Sequence, residues 1–246
     1  MTDEMTIRHG FVAILDALGM KTSTIEDSKN FIRVRSNLVK SLEESSDILK
    51  SRFGEEMRAL RMPRYLGYSD MLIIIWETSE YEITSIIPYL SELISSVFVV
   101  GLTNNVLWRG AVSYGQFLLY KGSLLGPAVS DAASWYEECN WIGIVTTPKL
   151  GFHVSMVEEE MKTGGKKPKT VREELRCVFY NVPLKDGSSS MLWVPDWPTA
   201  WNHRCVGKEI DCKKELFEVF GTFTTSKREY SKYLNTLKFY DYAMQG

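Results

Sequence analysis

Three histidines, four cysteines and eight prolines in 246 residues leave little material for a metal cage, a disulfide framework or a proline-rich linker. The cysteines, at 139, 177, 205 and 212, form no CxxC pair and no other zinc spacing. Buried or free thiols in a reducing cytoplasm are therefore expected. His9, His153 and His203 have no partner at ligand spacing, and no Ser-His-Asp arrangement can be assembled around them. The longest apolar run, MLIIIW at 71–76, is far short of the roughly 20 residues that span a bilayer. The start MTDEMTIRHG is polar and acidic, unlike a secretory signal. A membrane partner is thus not expected, and the location expected is cytoplasmic. A net charge of −2 with pI near 6.0 makes no case for nucleic-acid binding. No GxGxxG or Walker lysine loop is present, and KTGGKK (162–167) resembles one only in composition.

What is present reads as a folded α/β chain. Residues 7–16 form a buried strand, followed by a turn at Ala17-Leu18-Gly19-Met20. From Thr24 to about Phe53 the residues Phe31, Val34, Leu38, Leu42 and Ile48 recur at helical spacing, and Gly54 is a stop signal. Two strands joined near Gly67-Tyr68-Ser69 occupy RMPRYLGYSDMLIIIW, and 81–102 is an apolar helix that Pro88 kinks or starts. A strand pair is predicted over 106–120, a helix over 127–138 with Pro127 in its first turn, and a strand over 141–148. The order β-α-β-β-α-β-β-α-β suits an antiparallel-rich sheet covered by helices, an α/β (α+β) fold. Beyond it, TGGKKPKT (163–170) reads as a flexible loop with a lysine tip, 176–194 as a hairpin around Lys185-Asp186-Gly187, and 212–244 as helical. The division expected is a catalytic domain over 1–160 and a C-terminal hairpin and helical extension over 161–246, packed on it.

Two aspartates carry the chemistry. Asp16 in VAILDALGMK and Asp70 in RYLGYSDMLIIIW each stand where an apolar strand meets a turn, 54 positions apart. An aspartate there commonly serves as a turn residue or helix cap. Two on neighbouring strands would repel unless a divalent cation lies between them, which points to Mg²⁺ or Mn²⁺ and to phosphoryl chemistry. The turn after Asp16 offers backbone N–H groups to an anion, Gly19 allows close approach, and Lys21 is a further phosphate contact or a solvated lysine.

Together with RGAVSYGQFLLYKGSLLGPAVSDAASWYEE (109–138), these segments resemble the catalytic domain of class III nucleotidyl cyclases. The likeness is closer to the bacterial pyrimidine cyclases of the Pycsar antiphage systems, and it covers about residues 7–148. It implies a ferredoxin-like β-α-β-β-α-β core and catalysis at a homodimer interface. It also implies two metal ions, Mg²⁺ or Mn²⁺, on Asp16 and Asp70. The ribose 3′-oxygen of UTP or CTP would attack the α-phosphorus, giving a 3′,5′-cyclic monophosphate and pyrophosphate as an antiphage second messenger.

The chain departs from the purine cyclases at the base-reading positions, where Leu66 and Ser123 stand, with Tyr65 able to stack on a base or to pack in the core. Ser130 and Ser134 replace the helix asparagine and arginine of adenylyl cyclases. Charge stabilisation is then expected from Arg109, Arg64 or Lys121. The residues expected at the site are Asp16, Asp70 and Arg109 for catalysis. Ala17, Leu18, Gly19, Met20, Lys21, Arg64, Tyr65 and Ser123 would bind substrate. A purine cyclase and a catalytically silent cyclase-like domain remain as alternatives.

Overall fold

The computed structural model describes residues 6–19, 24–52, 62–79, 82–206, 211–223 and 227–245. β1 (Ile7–Ala17) runs through the middle of the main sheet, apolar on both faces because both are covered. Thr24 and Asp27 exchange hydrogen bonds as a capping box, and α1 (Ile25–Arg52) follows. Those bonds from Thr24 hold the Asp27 carboxyl below its ordinary pKa. β2 (Arg64–Tyr68) and β3 (Met71–Glu77) form a hairpin through Ser69-Asp70. Then come α2 (Ile83–Thr103) and β4 (Trp108–Tyr120).

The strands lie in the order β2-β3-β1-β4, every neighbouring pair antiparallel. At the outer edge of β4, β5 (Ser123–Leu125) pairs antiparallel near one end and β6 (Ile144–Thr146) parallel near the other. The result is a mixed α/β fold on a largely antiparallel sheet. Alternation along the strands sorts the side chains to two faces. Phe11, Ala13, Leu15 and Ala17 pack with α1 and α2, through Phe31, Leu38, Ile86 and Leu90. Val12 and Ile14 pack on the other face, against Ala128 and Ala132 of α3 (Pro127–Glu138).

α2 is long and apolar enough to cross a membrane by length and composition, at mean hydropathy 1.7. Half of that window is buried, with Ile83, Ile86, Ile87, Leu90, Ile94, Val97 and Phe98 turned into the core. Pro88 lies inside the helix rather than at its start.

The strand pair expected over 106–120 is one 13-residue strand. Gly115 lies within it opposite Gly10, and the reversal comes at Lys121-Gly122, both at positive φ as a tight hairpin turn requires. A helix unread in the sequence, α4 (Pro148–Thr163), follows β6. The expected 163–170 loop is shorter, since α5 starts at Pro168 (Pro168–Leu175) and Lys166 pairs with Glu174. The hairpin appears as β7 (Cys177–Pro183) and β8 (Ser189–Pro195). The C-terminal helical region contains α6 (Trp197–His203), α7 (Cys212–Gly221) and α8 (Lys227–Gln245). These elements share the core of the first half, with Trp197 4.7 Å from Phe98 and 5.9 Å from Phe239, ring to ring.

Of the four cysteines expected as thiols, Cys205 and Cys212 are joined in a disulfide between α6 and α7, while Cys139 and Cys177 are buried thiols. A seven-residue separation carries no signature of pairing, and only the packing of α6 beside α7 brings the two together.

Candidate active site

Antiparallel pairing brings the two aspartates to one end of the sheet. Asp16 is the penultimate residue of β1, opposite Met71 on one side and Arg109 on the other. Asp70, immediately before Met71, sits in the β2–β3 turn, and its carbonyl accepts the Ala17 N–H at 3.0 Å. Strand spacing and rise put the two Cα atoms about 6 Å apart. The site is therefore made by register, joining residues that lie far apart in sequence.

Arg109 lies beside Asp16, its Nη2 donating to Oδ2 at 2.7 Å. The two side chains are 12% and 18% exposed, so this ion pair is sheltered from solvent. The guanidinium also lies over the Tyr136 ring, 5.4 Å from its centroid, while its Nε is buried without a hydrogen-bond partner among the described residues. Burial raises the Tyr136 pKa, helped by the charges of Glu137 and Asp16 and opposed by Arg109. Burial also pushes the neighbouring Cys139 thiol up to about 12, against the pull of Arg109. That thiol is consequently a packing group rather than a nucleophile at neutral pH.

The anion cradle expected after Asp16 is smaller than predicted. The N–H of Ala17 is committed to Asp70 and that of Leu18 to the Leu107 carbonyl at 2.9 Å. Gly19 turns with φ of 88°. Met20 and Lys21 lie outside the described residues. Leu18 and Gly19 border a hollow of about 40 Å³ that Glu229, Lys232 and Tyr233 of α8 close, too small for a nucleotide. Two larger hollows lie elsewhere. One of about 400 Å³ is lined by Arg172, Phe179, Trp193 and Tyr242, and one of about 520 Å³ by Arg8, His9 and Glu77.

Three expected substrate contacts are not gathered here. Arg64 begins β2 at the end away from the turn and points to Glu77 at 3.6 Å, where Arg8 also pairs. Tyr65 lies opposite Ile74 and packs on the α1–α2 side of the sheet, whereas Leu66 shares the Asp16 face. Alternation decides this: shifting by one residue changes the face. Ser123 is exposed opposite Tyr120. Eleven residue steps along β4, about 36 Å, separate Tyr120 from Arg109. On α3, Ser130 and Ser134 are exposed, and the Ser134 hydroxyl donates to the Asp131 carbonyl at 3.0 Å. The carboxylate of Asp131 accepts from Ser113 at 2.6 Å.

One residue at the site went unread in the sequence. Arg35 of α1 reaches the turn that carries Asp70, donating from Nη1 to the carbonyls of Ser69 at 2.7 Å and Met71 at 2.9 Å. Its one signal was Gly67, a glycine inside a strand, which marks close approach by another group.

A hard divalent ion takes oxygen ligands, and Mg²⁺ commonly uses one or two carboxylates, waters and substrate phosphates. Asp16, Asp70 and nearby backbone carbonyls fit that donor set. Among the described residues no group of three or more His, Cys, Asp or Glu side chains converges, so water or a ligand would complete the shell. Comparison of the sequence with protein-family models and with curated proteins found no match.

Proposed function

We propose that the chain is a metal-dependent nucleotidyl cyclase acting on a pyrimidine nucleoside triphosphate, UTP or CTP. The observation that carries this reading is the meeting of Asp16, Asp70 and Arg109 at one end of the sheet, with Arg109 2.7 Å from Asp16. The strand order β2-β3-β1-β4, with a helix in each long connection, supports the ferredoxin-like core that the resemblance to class III cyclases implies.

On this reading Asp16 and Asp70 hold one or two Mg²⁺ or Mn²⁺ ions, which supply Lewis-acid activation of the ribose 3′-hydroxyl and neutralise the leaving pyrophosphate. Arg109 contributes a fixed positive charge at the edge of the triphosphate. Tyr136 and the buried Cys139 keep water from one side of Arg109. Leu66, on the Asp16 face, leaves the base position without the lysine of purine cyclases, in keeping with a pyrimidine.

A second copy of the chain completes the proposed site. Outside the strip covered by α3, the Asp16 face carries Leu66, Met71, Ile73, Leu119 and Leu124, all half-buried, with Tyr68 69% exposed. Apolar surface of that kind suits a homodimer interface. The antiphage role rests on the resemblance alone.

One observation favours a second reading, a silent cyclase-like domain that binds nucleotide without turning it over. Asp16 is held by Arg109, and Ser130 and Ser134 supply no charge on α3.

Incubation of the purified protein with each of ATP, GTP, CTP and UTP, with Mn²⁺ or Mg²⁺, followed by chromatography, separates the readings. A cyclic pyrimidine product is expected. A cyclic purine product would move the assignment to a purine cyclase, and nucleotide binding without product to the silent domain.

A further inference from the structure

Asp70 lies in a reversal and not in a strand, tied to the sheet by one backbone bond from Ala17 of β1. The residue before it, Ser69, has φ of 50°, a left-handed conformation uncommon for a residue other than glycine. The surrounding structure holds that conformation by binding three successive carbonyls. Arg35 Nη1 donates to the carbonyls of Ser69 and Met71 at 2.7 and 2.9 Å, and Ala17 N–H donates to the carbonyl of Asp70 at 3.0 Å.

Arg35 reaches this position through two features of its surroundings. Phe31, one helical turn earlier, supports the guanidinium on its ring at 5.2 Å. Gly67 leaves space for it, since a Cβ there would lie 2.7 Å from Arg35 Cζ. With both Nη1 hydrogens on carbonyls, the arginine grips backbone, while its charge also acts on the Asp70 carboxylate.

We propose that Arg35 is a positioning residue for Asp70: by clamping the β2–β3 turn it presents the carboxylate to a divalent cation beside Asp16. The inference rests on the reading of Asp16 and Asp70 as cation ligands and adds the residue that sets their geometry. The position of Arg35 on α1 makes the cation site depend on the helix as well as the sheet.

The test uses the full chain and Mn²⁺ alone, with bound ion counted by electron paramagnetic resonance, and amide hydrogen exchange read at residues 69–71. Arg35→Met removes the clamp, and Gly67→Ala displaces the guanidinium without changing charge. Both should weaken Mn²⁺ binding about 10- to 100-fold and speed exchange in the turn. Arg35→Lys should restore part of the affinity. If Arg35→Met fails to fold, Gly67→Ala carries the test. Wild-type Mn²⁺ affinity in folded Gly67→Ala with faster turn exchange would overturn the positioning role while leaving the cation site standing. Wild-type affinity in Asp70→Asn would overturn the cation site itself, and this inference with it.

Discussion

Arg109 and Asp16, 93 residues apart in sequence, are direct cross-strand partners on β4 and β1, joined through Nη2 and Oδ2 at 2.7 Å. A cation approaching Asp16 meets a guanidinium already engaged with one of its carboxylate oxygens. If Asp16 binds a cation as proposed, Arg109 would have two opposed effects: holding Asp16 in place and competing for it.

Replacing Arg109 by Met should for that reason split binding from turnover. Removing the competitor is expected to tighten Mn²⁺ binding about tenfold, the worth of one charge-assisted pair. Removing the charge from the triphosphate edge should lower the rate of cyclic product. Titration calorimetry and a product assay on the same variant check both, and parallel losses would remove the competition account.

Asp16→Asn and Asp70→Asn should each abolish product while differing in stability. Asp16→Asn leaves the sheltered Arg109 charge without its counter-ion and should cost about 1–2 kcal/mol. Asp70→Asn keeps the backbone bonds of its turn and should unfold near the wild-type midpoint. Thermal melts beside the product assay distinguish the two, and full activity in either variant would falsify the metal-ligand assignment.

The buried thiols Cys139 and Cys177 both have pKa values pushed to about 12 from 9.0, chiefly by burial. The folded chain keeps their protons where the unfolded chain loses them. Their contribution to stability is thus complete below about pH 9 and declines as pH rises from 9 towards 12. Urea unfolding at pH 8 and pH 10 should show the drop, lessened in Cys177→Ala relative to its own value at pH 8. Neither thiol should react with iodoacetamide in the native protein at pH 8.

Leu124→Glu and Tyr68→Glu place charge on apolar positions of the Asp16 face, the first half-buried and the second exposed. Both should convert a dimer to a monomer in light scattering with an unchanged circular dichroism spectrum. Cyclic product should fall with the loss of dimer. A wild-type chain that is monomeric at every concentration would remove the second copy from the mechanism.

The strands and long helices of residues 7–138 were legible because their apolar periods are strong and their boundaries carry Gly, Pro or Thr. Gly115 misled the reading of β4, since a glycine in an apolar run signals a turn from sequence alone. Here it faces Gly10 across two strands that continue past it. α4 escaped notice because only Leu150, Val154 and Val157 are buried along its 16 residues, too few to mark a period. The placement of Asp16 and Asp70 at strand ends was readable, and their common sheet end followed from the β-α-β-β order. The Asp16–Arg109 pair, the face of Tyr65 and the reach of Arg35 were not, because each depends on register or on helix placement rather than on local pattern.

The length of β4 has a consequence for how the protein would respond to its own abundance. Ser123, opposite Tyr120, and Asp16, opposite Arg109, lie at opposite ends of that strand, about 36 Å apart, farther than one nucleotide reaches. On the proposed cyclase reading, one substrate would touch both ends only if two chains lay head to tail. At low copy number such chains would stay apart and silent without any inhibitor. Output would rise with the square of the dose, giving the signal a built-in threshold.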